Sequence, residues 1–154
     1  MTFKNEKQLK EFLLEKCKYA LEDATRSVYK IIDEFVRAYY KDYTPEMYER
    51  TYQLFNSFVM TDVKRVGNGY EAYVYFDLDS IKYVTGNQPT AEQVMDAAKQ
   101  GLHGAIGEDL LYVHGDSGNS LINIWNTPQW VIKAEAFEIL KEKLIANGIP
   151  IKKG

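Results

Sequence analysis

An unbroken helical pattern over residues 5–40 constrains this chain more than any other feature of its sequence. The segment contains neither proline nor glycine, and apolar residues recur in it every three or four positions. This first apolar row consists of Leu9, Leu13, Cys17, Ala20, Ala24, Val28, Ile31, Phe35 and Ala38. At about 1.5 Å per residue the helix is about 50 Å long, which is more than so small a chain can cover. We therefore expect it to contact something on two sides.

A second, broken apolar row lies on the same predicted helix. It consists of Phe12, Leu14, Leu21, Ile32 and Val36. If the first row packs on the chain's own sheet, the second row leaves an exposed apolar stripe on a lone monomer, which monomers rarely tolerate. We predict that a neighbouring subunit covers this stripe.

Turn and capping residues place the other elements. Thr44-Pro45 and Thr127-Pro128 each combine a good N-cap with a proline suited to the first helical turn, and Thr90 with Gln93 matches a capping box. Asn147-Gly148 ends the last helix. The predicted single domain over 1–154 thus contains a long helix 5–40, a short helix 45–57, a hairpin 60–78, a helix 91–100, a loop 101–120 and a helix 128–147.

Two strand-like runs on either side of Gly67-Asn68-Gly69 predict the hairpin. In the second run, alternation separates a core face from a face of tyrosine and acid. The core face comprises Tyr70, Ala72, Val74 and Phe76, and the other face comprises Glu71, Tyr73, Tyr75 and Asp77. The chain contains twelve tyrosines, and because this side chain has a large ring and a polar hydroxyl, it suits both cores and protein interfaces.

Charge and cysteine content exclude several classes of protein. The formal charge is −3 with the two signs interspersed, whereas a nucleic-acid binder normally carries a basic surplus. Cys17 is the only cysteine, so the chain forms no internal disulfide and no cysteine-based zinc cluster. The N-terminus lacks the apolar core of a signal peptide, and no apolar run is long enough to span a membrane. We expect a protein made in a reducing cytosol.

Chemistry-bearing residues gather in the glycine-rich segment 101–120, without a supporting pattern. His103 and His114 are eleven residues apart, and neither a helix nor a strand fixes them near the neighbouring acids Glu108, Asp109 and Asp116. No serine has the context of a nucleophile elbow, and the Gly101–Gly104 stretch lacks the lysine of a phosphate-binding loop. We therefore predict no catalytic residue, no metal and no cofactor. Trp125 and Trp130 are expected to pin the last helix to the sheet.

The order of several short segments resembles that of a known family. They are the long helix, Tyr-Thr-Pro-Glu-Met-Tyr-Glu-Arg-Thr-Tyr-Gln-Leu-Phe-Asn-Ser-Phe at 43–58, a strand with Gly-Asn-Gly at 67–69, and Gly-Leu-His-Gly at 101–104 before a final helix. Together they resemble the small tail-completion, or head–tail joining, proteins of tailed bacteriophages, in particular those of phages and prophages of Gram-positive bacteria. The segment 80–119 departs from the shortest members of that family by its extra length.

The resemblance implies an α+β fold, with a small antiparallel sheet packed by the long N-terminal helix and a C-terminal helix. It also implies a virion protein, synthesised in the host cytoplasm, that forms a homo-oligomeric ring, with a hexamer favoured, at the head–tail junction. Its partners would be the phage connector and the tail-tube or terminator proteins, and DNA would pass through the lumen without sequence-specific binding. The candidate interface residues are Phe12, Leu14, Leu21, Ile32, Val36, Tyr73, Tyr75, Gly101, His103 and Gly104.

An alternative class remains open at this point. A small cytosolic α+β enzyme or ligand-binding domain could use the loop from His103 to Asp116 over a tyrosine-lined pocket. That interpretation predicts a monomer or dimer. An assembly protein is instead expected to expose apolar surface on the free subunit.

Overall fold

The computed structural model describes residues 2–41, 52–82, 90–99, 102–103, 112–113 and 126–151. The chain folds into two compact units. Unit 1 comprises Met1–Tyr29, Met60–Val74 and Lys133–Gly154, and unit 2 comprises Lys30–Val59 and Tyr75–Ile132. The predicted single domain over 1–154 stays a prediction.

Helix α1 spans Glu6–Lys41, close to the predicted bounds. Its most buried residues follow the first apolar row only at Ala20 and Ala24. They are Ala20, Ala24, Thr25, Ile32, Val36 and Tyr39, while Leu9 and Leu13 are exposed. Ala20 and Ala24 lie on one side of the helix, whereas Ile32 and Val36 lie on another side at about 100° per residue, so the buried stripe moves around the helix along its length.

The expectation that the whole second row of α1 is exposed is therefore wrong. Ile32 and Val36 are 9% and 1% exposed and belong to the core of unit 2, while Phe12, Leu14 and Leu21 are half-buried. Since a residue buried within its own subunit offers no surface to a neighbour, the interface role predicted for Ile32 and Val36 fails on packing grounds.

Four short strands form two nested pairs, β1 with β4 and β2 with β3. Strand β1 is Phe58–Met60, β2 is Lys64–Val66, β3 is Gly69–Glu71 and β4 is Val74–Phe76. In the pair nearer the turn, β2 and β3 are antiparallel, and Lys64 lies opposite Glu71 at the end farther from the turn. Nearer the base of the hairpin, the Thr61 N–H donates to the Tyr73 carbonyl at 2.9 Å. Two residues, Asp62 and Val63, therefore lie opposite the single residue Ala72, which is the arrangement of a β-bulge.

Thr61 stabilises the bulge with its side chain as well as its backbone. The Tyr73 N–H donates to Thr61 Oγ1 at 2.9 Å, so the hydroxyl takes the place of a carbonyl acceptor that the bulge has displaced. Gly67 closes the far end of the hairpin with φ 56°, while Asn68 has a negative φ. A glycine with positive φ at the first central position is typical of a type II′ turn.

Helix α2 spans only Gln53–Asn56. Tyr52 precedes it with φ 54°, a left-handed conformation that is unusual for a bulky residue and that interrupts any helix running through this position. The predicted continuous helix over 45–57 is thus wrong at Tyr52, and its residues 45–51 lie outside the described part of the chain. The Tyr52 ring stacks on Tyr40 with centroids 5.5 Å apart, which helps to hold this conformation.

Helix α3 spans Ala91–Lys99 after a 3₁₀ turn at Leu78–Ser80, and its predicted capping box is confirmed. The Gln93 N–H donates to Thr90 Oγ1 at 3.2 Å, and the Thr90 N–H donates to Gln93 Oε1 at 2.9 Å. In the segment 101–120, predicted as a loop, two pairs of residues form short antiparallel strands, β5 at Leu102–His103 and β6 at Tyr112–Val113. The rest of that segment lies outside the described residues.

Helix α4 spans Asn126–Ala146, which places Pro128 in its first turn. At its other end Gly148 has φ 85°, the Gly148 N–H donates to the Ile145 carbonyl, and the Ile149 N–H donates to the Leu144 carbonyl. This pair of bonds is a Schellman motif, and it confirms the predicted stop. Asn147 Nδ2 also donates to Asp23 Oδ2 at 3.3 Å and so links α4 to α1 within unit 1.

The sequence pattern predicts an apolar face on the last helix, formed by Val131, Ala134, Phe137, Leu140, Leu144 and Ile145, and this prediction is wrong in part. Val131, Leu140 and Leu144 are half-buried, but Phe137 and Ile145 are exposed. Trp130, which was expected to pin the helix to the sheet, is 78% exposed, and Trp125 lies outside the described residues. The fold class is nonetheless confirmed: the chain is α+β, with a long N-terminal helix, a small set of antiparallel strands and a C-terminal helix.

Candidate assembly surface

Exposed and buried apolar side chains divide unequally between the two units. Of the eleven large apolar side chains that are exposed among the described residues, eight lie in unit 1. These eight are Leu9, Leu13, Tyr19, Met60, Val66, Tyr73, Phe137 and Ile145. The buried apolar residues of unit 1 in the same part of the chain are only Ala20 and Ala24, whereas unit 2 buries Ile32, Val36, Tyr39, Leu54, Phe58, Phe76, Ile81, Met95 and Ala98. Unit 1 therefore carries the surface that a partner would cover.

One part of this surface is the outer face of the hairpin. Because side chains alternate along a strand, Lys64, Val66, Glu71 and Tyr73 share a face. Val66 is 52% exposed, and Tyr73 is exposed as the sequence predicted. Lys64 and the adjacent Arg65 are also exposed. This face thus combines the apolar Val66 and Tyr73 with the opposite charges of Lys64 and Glu71, and Arg65 lies on the other face.

Glu71 and Tyr73 interact with each other on this face. The phenol of Tyr73 donates to Glu71 Oε2 at 3.0 Å. This hydrogen bond, followed by the negative charge of Glu71, raises the pKa of Tyr73 above its ordinary value. The same arrangement occurs on α1, where the Tyr19 phenol donates to Glu15 Oε1 at 3.2 Å and its pKa is raised for the same reason. Both hydroxyls remain neutral hydrogen-bond donors at physiological pH.

A second part of the surface is the outer face of α4. Phe137 is 72% exposed, and Ile145 lies two turns further along the helix on the same side. Between them Lys141 Nζ lies 2.7 Å from Glu138 Oε2, so these two charges pair with each other. The nearby Glu142 is exposed. The exposed Lys133 lies one turn before Phe137 on the same side, so this face combines apolar area with charges of both signs.

The sequence pattern missed this outer face because α4 is apolar on more than one side. A stripe of apolar residues predicts a buried face only when the opposite side is polar, and around α4 it is not. Apolar residues on opposite sides of the helix, such as Phe137 and Ile139, are the sequence feature that indicates a second, exposed apolar surface.

The remaining predicted interface residues are distributed unevenly. Phe12 is half-buried against Phe3, with ring centroids 5.2 Å apart, and Tyr75 is exposed in unit 2. His103 contributes its backbone to the pairing with Tyr112. Gly101 and Gly104 lie outside the described residues. The described members of the predicted set are therefore divided between the two units, and Ile32 and Val36 are buried.

Aromatic residues also cluster in unit 2, where they contact one another. The Phe55 ring lies edge-on to Tyr40 at 5.4 Å, and the Arg37 guanidinium lies 5.4 Å from the centre of Phe55. Arg37 Nε also donates to Asp33 Oδ2 at 2.7 Å. This cluster joins the C-terminal part of α1 to α2.

Comparison with protein families decides the identity of the chain. The model of the YomN family matches residues 5–144, which is nearly the whole sequence. The chain belongs to the YomN family. This is a phage-derived family of Bacillus, so the YomN-family chain is a phage protein. No curated protein and no solved structure gives a significant match.

The described part of the YomN-family chain offers neither a metal site nor a membrane span. No group of three or more His, Cys, Asp and Glu side chains there could hold a metal ion, and His114, Glu108, Asp109 and Asp116 lie outside it. No helix in the same residues is long and apolar enough to cross a bilayer.

Proposed function

We propose that this protein is a structural virion protein that forms a ring at the head–tail junction of a tailed phage, as a neck, tail-completion or tail-terminator subunit. The observation that carries the proposal is the concentration of exposed apolar side chains in unit 1. Such a surface is unfavourable on a monomer in water and favourable once a neighbouring subunit covers it. The membership of a phage family and the resemblance to head–tail joining proteins supply the setting.

Charge is compatible with this proposal. A ring around DNA must let the duplex slide, and a wall rich in lysine and arginine would hold it through its phosphates. The chain has 22 acidic and 19 basic residues, so its ring would not grip DNA by bulk charge. Connector and tail-tube or terminator proteins are the proposed neighbours above and below the ring.

The test is a phage whose copy of this gene carries an early stop codon. We expect lysates with DNA-filled heads and separate tails in the electron microscope, and joined particles again when the intact gene is supplied in trans. Purified protein should form rings under negative stain. Normal joined particles from the stop-codon phage would overturn the proposal.

A further inference from the structure

We infer that Asn68 is a site of spontaneous covalent modification: it deamidates to aspartate and isoaspartate through a succinimide formed with the backbone nitrogen of Gly69. The chain contains a second Asn-Gly pair, Asn147-Gly148, whose contacts protect it from the same reaction. The inference does not depend on the proposed ring, because it concerns the chemistry of two short segments within one subunit.

The reaction requires only Asn68, Gly69 and water. The backbone nitrogen of Gly69 loses its proton and attacks Cγ of Asn68, so that a new C–N bond forms and the side-chain nitrogen leaves as ammonia. Water then opens the succinimide ring at either of its carbonyl carbons. One opening gives aspartate, and the other gives isoaspartate, in which the main chain runs through the side-chain carboxyl carbon. Glycine favours the attack because it has no Cβ and its backbone rotates freely.

Asn68 lies in the exposed turn of the hairpin. Within the described part of the chain, no hydrogen bond holds its side-chain amide. The space beside the turn is also open, since a Cβ added at Gly67 would meet nothing within 4 Å. The Asn68 side chain is therefore free to turn its Cγ toward the backbone nitrogen that follows it.

The backbone around Gly69 is held only while the hairpin tip is formed. Gly69 lies opposite Val66 in the pairing of β2 with β3, and among the described residues these two strands pair with each other alone. A two-stranded hairpin is at best marginally stable by itself, and all three residues of β2 are exposed, so little packing opposes local opening. Each opening frees the Gly69 nitrogen to approach Asn68.

Both reacting groups of the second pair are held in place. Asn147 is half-buried, and its Nδ2 donates to the Lys143 carbonyl at 2.9 Å and to Asp23 Oδ2 at 3.3 Å. The attacking nitrogen would be that of Gly148, whose N–H donates to the Ile145 carbonyl at 2.9 Å in the Schellman motif. Attack at Asn147 therefore requires the end of α4 to open and the bond to α1 to break.

Modification changes the hairpin tip in two ways. Both products add a negative charge close to Lys64 and Arg65, where the chain had a neutral amide. Isoaspartate also adds a carbon to the main chain of a turn that has only two central residues, so the pairing of Val66 with Gly69 no longer fits.

Peptide mapping of aged protein tests the inference. The purified full-length protein is incubated at mildly alkaline pH and digested with trypsin at intervals, with a digest at zero time to correct for conversion during handling. The two asparagines then lie on separate peptides, 66–82 and 144–152. Mass spectrometry measures the converted fraction of each peptide, and chromatography separates its two products. We expect Asn68 to be converted at least about tenfold faster than Asn147, with more isoaspartate than aspartate.

Two controls separate the effects of structure and of sequence. In guanidinium chloride the contacts of both sites are lost, and the two asparagines should be converted at similar rates. Gly69→Ala adds a Cβ that meets only the Val66 carbonyl oxygen at 3.9 Å, and it should slow conversion of Asn68 about tenfold in the folded protein.

Three results would overturn the inference. They are conversion of Asn147 in the folded protein as fast as that of Asn68, an unchanged rate in Gly69→Ala, and an Asn68 that remains intact in the folded protein while the unfolded protein is converted.

Discussion

Thr61 shows how a single hydroxyl can hold an irregular backbone. Its backbone bonds to the Tyr73 carbonyl while Oγ1 accepts the Tyr73 N–H, so both polar groups of Tyr73 are satisfied beside the bulge. Replacing Thr61 by valine keeps the shape of the side chain and removes the acceptor.

We predict that Thr61→Val lowers the free energy of unfolding by about 0.5–1.5 kcal/mol, because the Tyr73 N–H then depends on water for a partner. Urea unfolding measures the loss, and hydrogen exchange should be faster at the Tyr73 amide. Thr61→Ser keeps the oxygen and serves as the matched control. Equal stability of the valine and serine variants would show that the hydroxyl is not needed.

The Tyr73 phenol provides a prediction with a defined pH range. Its hydrogen bond to Glu71 exists only while the phenol is protonated, so the raised pKa means that the bond is fully present below the ordinary tyrosine pKa of about 10. The bond is lost as the pH rises through the raised value. In Glu71→Gln, NMR titration of ring-labelled tyrosine should show the Tyr73 pKa moving down toward the ordinary value. An unchanged titration would mean that Glu71 does not cause the shift.

Residues whose conformation depends on close neighbours in sequence were predictable. The reciprocal bonds of Thr90 with Gln93 and the left-handed Gly148 follow from patterns of a few residues. Tyr52 was not predictable, because its positive φ accompanies stacking on Tyr40, a residue of another element. No local pattern of sequence marks a bulky residue for that conformation.

The turn of the hairpin contains two glycines, and only one of these positions requires a glycine. Gly67 has φ 56°, which strains any residue with a Cβ, whereas Gly69 has no such requirement. A Cβ at Gly69 would meet only the Val66 carbonyl oxygen, at an ordinary 3.9 Å. We predict that Gly67→Ala destabilises the protein by about 1 kcal/mol and that Gly69→Ala changes stability by less than about 0.5 kcal/mol. Thermal or urea unfolding of both variants checks this, and equal losses would contradict the assigned turn.

The bounds of the helices were easier to predict than the sides on which they pack. Caps and the absence of proline placed α1, α3 and α4 to within about two residues of the observed ends. Which side is buried depends on what packs against the helix, and this is a property of the tertiary structure. Leu13 and Phe137 therefore look like core residues in the sequence and are exposed in the fold.

At the scale of the molecule, one substitution made in both units compares their packing. Val36 in unit 2 is almost fully buried, and Val66 in unit 1 is mostly exposed. We predict that Val36→Ala costs about 2 kcal/mol of stability, from lost burial and the cavity left behind, and that Val66→Ala costs less than about 0.5 kcal/mol. Chemical denaturation measures both. Similar losses would mean that the two units are equally well packed.

The proposed ring predicts the opposite ranking of these two variants when ring formation is measured instead of stability. Val66→Ala should reduce ring formation while leaving the free subunit stable, whereas Val36→Ala should leave rings intact under conditions in which the subunit is folded. Negative-stain images and light scattering at matched folded concentration measure this. Rings that are unaffected by Val66→Ala would remove the hairpin from the interface.

The bulge at Asp62–Val63 has a consequence for the solubility of the free protein. The unpaired backbone groups of an exposed edge strand can pair with strands of other chains, and repeated pairing of this kind produces amyloid-like fibrils. Here the straight part of the exposed strand β2 is only three residues long, carries Lys64 and Arg65, and ends where the bulge turns the backbone. Irregular backbone and positive charge therefore discourage continuous β-sheet growth, and a subunit with much uncovered apolar surface is protected from its most damaging form of aggregation.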